Sequence, residues 1–384
     1  MRTINLRLSG IFGVAFGSMR FLSSLDLAWQ CFRAVFASHN YLIFFITARC
    51  NARCPFCFYW KEIEGWKARQ ELTLDEIRLF TKKAGHLLYL SIGGGEPFLR
   101  KEIAEIVSLF YRNCSTRFVN ITTNGLQPEK TLRDIERILQ ECPHLVLKIN
   151  LSLEAWGEKH DEIRGVRSNF RKLTETYHGL RALRDRGRYF AINIATTFSR
   201  SSQNEVIPLI TRVKQEWDVN DHTLSYVRGD IKDPNLKDPD LDAYEAAIRH
   251  LEQTRNGKLP WVYRLLRAYA RTMFRMNLEI LREDRMVVPC VAGRRMLTLA
   301  DDGTIKPCEV LEAKEGTQEY DFGNLRDFDY DLSKLRKTER AKRAVNFIRA
   351  SKCHCSFECA NMANVALSPR MLPRVLREMF RPSI

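Results

Sequence analysis

Three cysteines lie close together near the beginning of the sequence, and their type and spacing could hold a metal cofactor. The run Cys50-Asn-Ala-Arg-Cys54-Pro-Phe-Cys57 has the spacing C-x3-C-x2-C and follows the apolar stretch 41–47. A [4Fe–4S] cluster is normally held by four cysteine thiolates. Three ligands would leave one iron open to bind and reduce a small molecule. Two alternatives remain. The three cysteines could belong to a structural zinc site that is completed by cysteine or histidine residues elsewhere, or they could be unpaired thiols.

This cysteine run resembles the motif of the radical S-adenosylmethionine (SAM) enzymes. The resemblance implies that the amino and carboxylate groups of SAM chelate the open iron. It also implies that an electron from the cluster breaks the sulfonium C–S bond, and that the resulting 5′-deoxyadenosyl radical abstracts a hydrogen atom. Phe56, the aromatic residue before the third cysteine, is then expected near the adenine. In such enzymes the cofactor carries the difficult chemistry and the protein positions it.

Glycines and polar residues after the next two predicted strands fit the same family. Its GGE motif, which binds the methionine amino group, corresponds here to Gly94, Gly95 and Glu96. Carboxylate and carbonyl oxygens suit an ammonium donor. The resemblance also implies that Asn124, in a T-N-G sequence, lines the cofactor pocket. An ordinary turn explains the same T-N-G residues.

Polar side chains also follow the predicted strand 145–152. Because side chains alternate along a strand, Ser152 and Glu154 point to one face, and the resemblance implies that they reach the ribose hydroxyls of SAM. Arg164 lies in a stretch similar to the HD-x-x-R-G sequence of peptide-modifying subfamilies. It is implied to pair with the SAM carboxylate, a geometry that guanidinium suits. A solvated surface arginine is the alternative.

A second group of cysteines lies near the end of the chain. Cys290, Gly303 and Cys308 give the spacing C-x12-G-x4-C, and 297–308 predicts a β-hairpin with a D-D-G turn. This part resembles the SPASM or shorter Twitch extension of the family, which implies one auxiliary [4Fe–4S] cluster. The resemblance favours Cys290, Cys308 and Cys359 as firmer ligands than Cys353 and Cys355, and a structural zinc ion held by four of these thiolates is the alternative. The candidate ligands are Cys290, Cys308, Cys359, Cys353 and Cys355.

Apolar runs and helical stretches alternate from residue 41 onward, which predicts βαβ units and a parallel sheet. Strands are predicted at 41–47, 87–92, 117–122, 145–152, 189–197 and 223–228. Helices are predicted near 73–84, 101–112, 128–140, 169–186 and 202–217. The predicted fold class is α/β, a partial (β/α)6 parallel barrel as in radical SAM enzymes, followed by a small cysteine-rich α+β domain.

The predicted organisation has five parts. They are an amphipathic N-terminal extension (1–40), the radical SAM barrel (41–229), a linker and helical segment (230–286), the auxiliary-cluster region (287–366) and a basic amphipathic tail (367–384).

Composition limits the class of protein. Among 384 residues, 45% are hydrophobic and 10% aromatic, which indicates a globular chain with a core. The 11 cysteines fall mainly in two groups, which favours metal binding over disulfides. Because such clusters need reduced thiols, a cytoplasmic location is expected. The remaining thiols, Cys31, Cys114 and Cys142, are predicted to be buried and inert.

The net charge of +15 predicts attraction to anionic partners. Arginines recur at helical spacing over 264–275 and 370–381, and an amphipathic helix is expected at 11–36. Basic amphipathic helices are typical of membrane-surface binders, so peripheral contact with the anionic inner membrane surface is a predicted interaction. Ordinary solvated helices are the alternative. Nucleic acid is not an expected partner, because no binding module is recognisable.

The sequence therefore predicts a radical SAM oxidoreductase with an auxiliary cluster, acting on a peptide or a lipid-linked, membrane-associated substrate. An electron donor such as flavodoxin or ferredoxin is an expected partner. The alternative is a zinc- or cluster-stabilised binding or scaffold protein at a membrane surface, without SAM chemistry. No catalytic residue beyond the cofactor-binding ones is predicted.

Overall fold

The computed structural model describes residues 29, 33, 39–185, 190–254, 261–311 and 320–380, and it describes only the backbone at 261–264 and 266. The predicted N-terminal helix therefore lies outside the described residues, apart from two isolated positions. Cys31 also lies outside them.

Nine strands form one sheet in the described part of the chain, in the order β6-β5-β4-β3-β2-β1-β7-β8-β9. Neighbours are parallel from β6 to β7, and β7, β8 and β9 are antiparallel. The strands are β1 Tyr41–Thr47, β2 Tyr89–Gly94, β3 Phe118–Thr123, β4 Val146–Ser152, β5 Ala191–Phe198, β6 Asp221–Tyr226, β7 Met296–Leu299, β8 Thr304–Lys306 and β9 Gly323–Asn324.

Helices connect the parallel strands, as right-handed βαβ crossovers require. The predicted alternation of strands and helices is confirmed, and so is the α/β fold class. The helices are α1 Trp60–Glu64, α2 Leu74–Lys83, α3 Ile103–Asn113, α4 Pro128–Glu141, α5 Glu158–Arg164, α6 Asn169–Asp185, α7 Val206–Glu216, α8 Leu241–Thr254, α9 Trp261–Glu283, α10 Leu332–Arg336, α11 Glu339–Ala350, α12 Glu358–Leu367 and α13 Leu372–Phe380.

The first strand is central because its sequence is apolar on both faces. All seven residues of β1 are buried, as is typical of a parallel strand covered on both sides. Leu42 pairs with Leu90 of β2 and with Leu297 of β7. The chain that leaves the carboxyl end of β1 therefore emerges in the middle of the sheet, and this chain carries the first cysteine group.

The predicted hairpin near the end of the chain is present and joins the barrel. Strands β7 and β8 are antiparallel, and Gly303 in their turn has a φ of +91°, a conformation that favours glycine. Because β7 pairs in parallel with β1, the hairpin extends the barrel sheet. The second cysteine group is therefore attached directly to the strand that leads into the first. The predicted boundaries of the five parts remain a prediction.

The two basic stripes have different surroundings. On α9, Arg267 and Arg271 are buried, and both contact Glu252, at its main-chain oxygen (2.8 Å) and its carboxylate (3.4 Å) respectively. These two arginines are therefore not part of a solvent-facing surface, contrary to the expectation from their spacing, whereas Arg275 of the same stripe is exposed. The tail helix α13 does present apolar residues to solvent, including Phe380, which is 71% exposed. No helix among the described residues combines the length and apolar composition that crossing a bilayer requires.

Candidate functional site

The first three cysteines lie on the loop after β1 and line one cavity of about 340 Å³. Burial raises the pKa of Cys50 to about 11 and that of Cys57 to about 12, and it also raises the pKa of Cys54. Buried thiols of this kind lose their protons when a metal binds them. Three such thiols on one loop beside a cavity fit a [4Fe–4S] cluster with one open iron. Phe56 lines the same cavity.

The glycines after β2 hold this loop through backbone contacts. The Gly95 amide donates to the Thr47 carbonyl, and the Glu96 amide donates to the Arg49 carbonyl, both at 2.8 Å. A Cβ atom on Gly95 would lie 2.1 Å from the Arg49 oxygen, and one on Gly94 would lie 2.5 Å from the Thr47 oxygen. Only glycine permits an approach this close. Both glycines also line the cavity, as the resemblance implies.

The Glu96 side chain joins the ends of β2 and β3. Its carboxylate accepts hydrogen bonds from the Phe98 amide (3.1 Å), the Thr123 hydroxyl (2.8 Å) and the Asn124 amide (2.8 Å). Burial raises the pKa of Glu96 above its ordinary value. The carboxylate thus positions the backbone around the cavity, and its contact with the SAM amino group stays a prediction.

Asn124 holds the cysteine loop from a second side. Its Nδ2 donates to Asn51 Oδ1 at 2.8 Å, and Asn51 directly follows the first cysteine. Asn169 donates to the Asn124 carbonyl at 2.8 Å and fixes the turn in place. Sequence reasoning missed Asn51 and Asn169. The only sequence signal for Asn51 was its position inside the cysteine run. No sequence signal indicated Asn169.

Ser152, Glu154 and Arg164 all line the cavity. Arg164 is only 8% exposed, so the alternative of a solvated surface arginine is wrong. Its guanidinium donates to both Glu154 oxygens, at 3.2 and 3.3 Å, and burial raises the pKa of Glu154. The Arg164 Nε has no hydrogen-bond partner among the described residues. A buried guanidinium with a free donor suits a carboxylate ligand.

The remainder of the cavity has two unlike walls. One carries aromatic rings from β1, β2 and the cysteine loop, including Tyr41, Tyr89 and Phe58. The other carries amides and hydroxyls from β3 and β4, such as Asn120 and Asn150, whose side chains share a 2.6 Å hydrogen bond. A ligand with both an apolar and a polar part would match these walls.

The second cysteine group divides between two cavities. Four of its thiols line a separate cavity of about 200 Å³: Cys290, Cys308, Cys353 and Cys355. Cys359 instead lines the larger cavity. Arg228 lines both cavities and donates to Glu309 Oε1 at 2.8 and 3.0 Å. Sequence reasoning missed Glu309 and the ion pair, although an acidic residue beside Cys308 was a visible signal.

Burial raises the pKa of Cys308 well above its ordinary value, and three neighbouring thiols raise it further. Those neighbours are Cys355, Cys290 and Cys353. Four thiols around one cavity fit an auxiliary [4Fe–4S] cluster. No three histidine, cysteine or carboxylate side chains in the described ranges form a site for a single metal ion. A four-iron cluster is larger than one ion, and its ligands need not converge on one point.

A family model described as the radical SAM superfamily matches residues 44–196. This match confirms the sequence-based prediction of a radical SAM domain. Enzymes with this domain use a [4Fe–4S] cluster and SAM, which are therefore the cofactors of the first site.

Two kinds of curated protein are similar to this chain. GTP 3′,8-cyclase of Helicobacter pylori strain HPAG1 is 24% identical over 290 residues, which cover 72% of this chain and 83% of that protein. Molybdenum cofactor biosynthesis protein 1 of Bos taurus is 30% identical over 144 residues, which cover 36% of this chain and 22% of that protein. The chain thus spans about a fifth of the length of the first curated relatives that it matches.

Solved structures resemble the described fold over most of the chain. SuiB of Streptococcus suis, bound to precursor peptide SuiA, has a TM-score of 0.56 at 18% identity and covers 86% of this chain and 71% of SuiB. The enzyme anSMEcpe with bound AdoMet has a TM-score of 0.56 at 16% identity and covers 89% of this chain and 96% of anSMEcpe. At these identities the likeness shows the fold alone, and it agrees with a partial barrel.

Two neighbouring glycines provide a test of how the loop is held. We expect Gly95→Ala to displace the cysteine loop and to remove the iron bound there, about four irons per chain, because its Cβ would collide with the Arg49 carbonyl. Gly93→Ala is the matched control, since its Cβ would meet only the Phe45 ring at 3.7 Å. Iron analysis after anaerobic reconstitution, with circular dichroism to check folding, measures both. Equal iron in the two variants would contradict the account.

Proposed function

We propose that this chain, whose residues 44–196 form a radical SAM domain, is an enzyme that cleaves SAM reductively and takes a hydrogen atom from its substrate. One observation carries the proposal. The three thiols after β1 line a single cavity together with Phe56, Glu154 and Arg164, which are expected to contact SAM. When bound, the cluster and SAM supply the 5′-deoxyadenosyl radical that performs the abstraction.

The residues of the chain bind and orient this cofactor pair. Cys50, Cys54 and Cys57 supply the thiolates. Arg164 offers its free Nε to a carboxylate, while its pairing with Glu154 keeps both charges compensated inside the protein.

The substrate is a peptide or a lipid-linked molecule met at an anionic membrane surface. The tail helix α13 supports the proposal that the protein meets a membrane. Its apolar residues Leu372, Leu376 and Phe380 form an exposed stripe with the spacing i, i+4, i+8. Two arginines next to this stripe, Arg370 and Arg377, are also exposed. Apolar side chains flanked by arginine are typical of helices that lie in an anionic interface. SuiB, a structure of similar fold, binds a precursor peptide, which supports a peptide as the group modified.

Removal of one ligand tests the SAM reaction. We expect Cys54→Ala to abolish the 5′-deoxyadenosine that the wild type forms from SAM and dithionite. It should keep about four of about eight irons per chain, because the auxiliary thiols are untouched. Cys114→Ala, which removes a buried thiol outside both cavities, is the control and should retain activity and iron. Absence of 5′-deoxyadenosine from the wild type would contradict the proposed activity, and loss of all iron from Cys54→Ala would contradict the ligand assignment.

A second prediction concerns the membrane. We expect the protein to co-sediment with phosphatidylserine vesicles but not with phosphatidylcholine vesicles. Replacing Leu376 and Phe380 together by Ser should weaken binding about tenfold or more, because each apolar side chain contributes roughly 1 kcal/mol or more on insertion. The control replaces Leu79 and Ile207 by Ser, which are 44% and 38% exposed on other helices. Equal loss in both double variants, or no preference for anionic lipid, would contradict the membrane proposal.

A further inference from the structure

The fifth thiol of the C-terminal group has different surroundings from the other four. The smaller cavity is lined by Cys290, Cys308, Cys353 and Cys355. Cys359 instead lines the larger cavity, which also contains the three cysteines of the first group. A [4Fe–4S] cluster with no open iron takes four thiolates, and the smaller cavity already offers four. Cys359 is therefore not needed to complete that site.

The side chains that act on the charge of Cys359 are those of a tyrosine, an arginine and two glutamates. Tyr41, Arg228, Glu309 and Glu358 lie close enough to affect its charge, and Tyr41 lines the same cavity. Arg228 is itself fixed by pairing with both carboxylates, at 2.8 and 3.4 Å. This ion cluster lies between the two cavities, since Arg228 lines both of them.

Cys359 lies at the opposite end of the reaction cavity from the first cysteine group. Its partner Tyr41 is the first residue of β1, and Cys50 follows the end of that strand. A seven-residue strand spans about 20 Å. A substrate between SAM and Cys359 would thus be reached from one side by the adenosyl group and from the other by a thiol.

A separate observation in the same cavity points to a polar group on a ligand. Asn150, on β4, lines the same cavity and is only 7% exposed. Its Nδ2 donates to Asn120, but its Oδ1 has no hydrogen-bond partner among the described residues. A buried acceptor left without a donor is costly, and a donor group on a ligand in this cavity would satisfy it.

We propose that Cys359 is a free thiol that contacts the substrate, and that the other four C-terminal thiols ligate the auxiliary cluster. The proposal rests on the proposed function for the presence of a substrate radical in this cavity. It changes the sequence-based expectation, which ranked Cys359 above Cys353 and Cys355 as a ligand.

A thiol in this position has a defined chemistry toward a carbon radical. The S–H bond breaks, a C–H bond forms on the substrate, and the sulfur is left as a thiyl radical. One electron from an external low-potential donor of the ferredoxin class, together with one proton, restores the thiol. The substrate carbon thus receives its new hydrogen on the face opposite to the one that lost it. The ligand that this geometry fits is a molecule with an abstractable C–H hydrogen, bound between SAM and Cys359.

Alkylation of the anaerobically reconstituted full-length protein tests the assignment. A single tryptic peptide, 353–370, contains three of the five thiols, so fragmentation of this peptide compares them within one molecule. With iodoacetamide as probe, we expect the label on Cys359 in about tenfold excess over Cys353 and Cys355, because cluster ligands are protected. Cys359→Ala should keep all of its iron, whereas Cys308→Ala should lose about four irons per chain.

Label on Cys353 or Cys355 in place of Cys359, or loss of about four irons from Cys359→Ala, would each overturn the proposal. These readouts do not use SAM. A protein that labels as expected but forms no 5′-deoxyadenosine would therefore contradict the proposed function alone.

Discussion

The close approach of the β2 glycines to the loop after β1 is the constraint on which the site depends. Two backbone hydrogen bonds of 2.8 Å join Gly95 and Glu96 to Thr47 and Arg49, immediately before the first cysteine. Side-chain contacts from Glu96 and Asn124 then link the same loop to β3. The motif that the family uses to bind the SAM amino group is thus also the support that places three thiols at one cavity. A change that moves the glycines would move the metal ligands.

Strand β1 relates the two cysteine groups to each other. It is buried along its whole length, pairs with β2 on one side and with β7 on the other, and leads into the first cysteine loop. The hairpin that begins with β7 lies between Cys290 and Cys308, and Tyr41 at the start of β1 contacts Cys359. Both cysteine groups therefore depend on one rigid element, which keeps the two cavities in a fixed relation.

Much of this arrangement could be predicted from the sequence, because it follows from local patterns. Strand β1 and helix α4 were predicted almost to the residue, since apolar runs and helical periodicity are local properties. The buried pairing of Arg164 with Glu154 and the contact of Asn124 with Asn51 depend on elements brought together by the fold, and no spacing rule indicates them. Arg267 and Arg271 have the spacing of an exposed stripe, yet α8 covers them. The division of five thiols between two cavities likewise depends on packing.

The central claim is that three thiols after β1 hold a cluster with one open iron to which SAM binds. The most direct measurement is the EPR spectrum of the reconstituted, dithionite-reduced protein before and after addition of SAM. The account predicts that SAM changes the spectrum of the wild type and leaves that of Cys54→Ala, which retains only the auxiliary cluster, unchanged. A wild-type spectrum that SAM does not alter would contradict it.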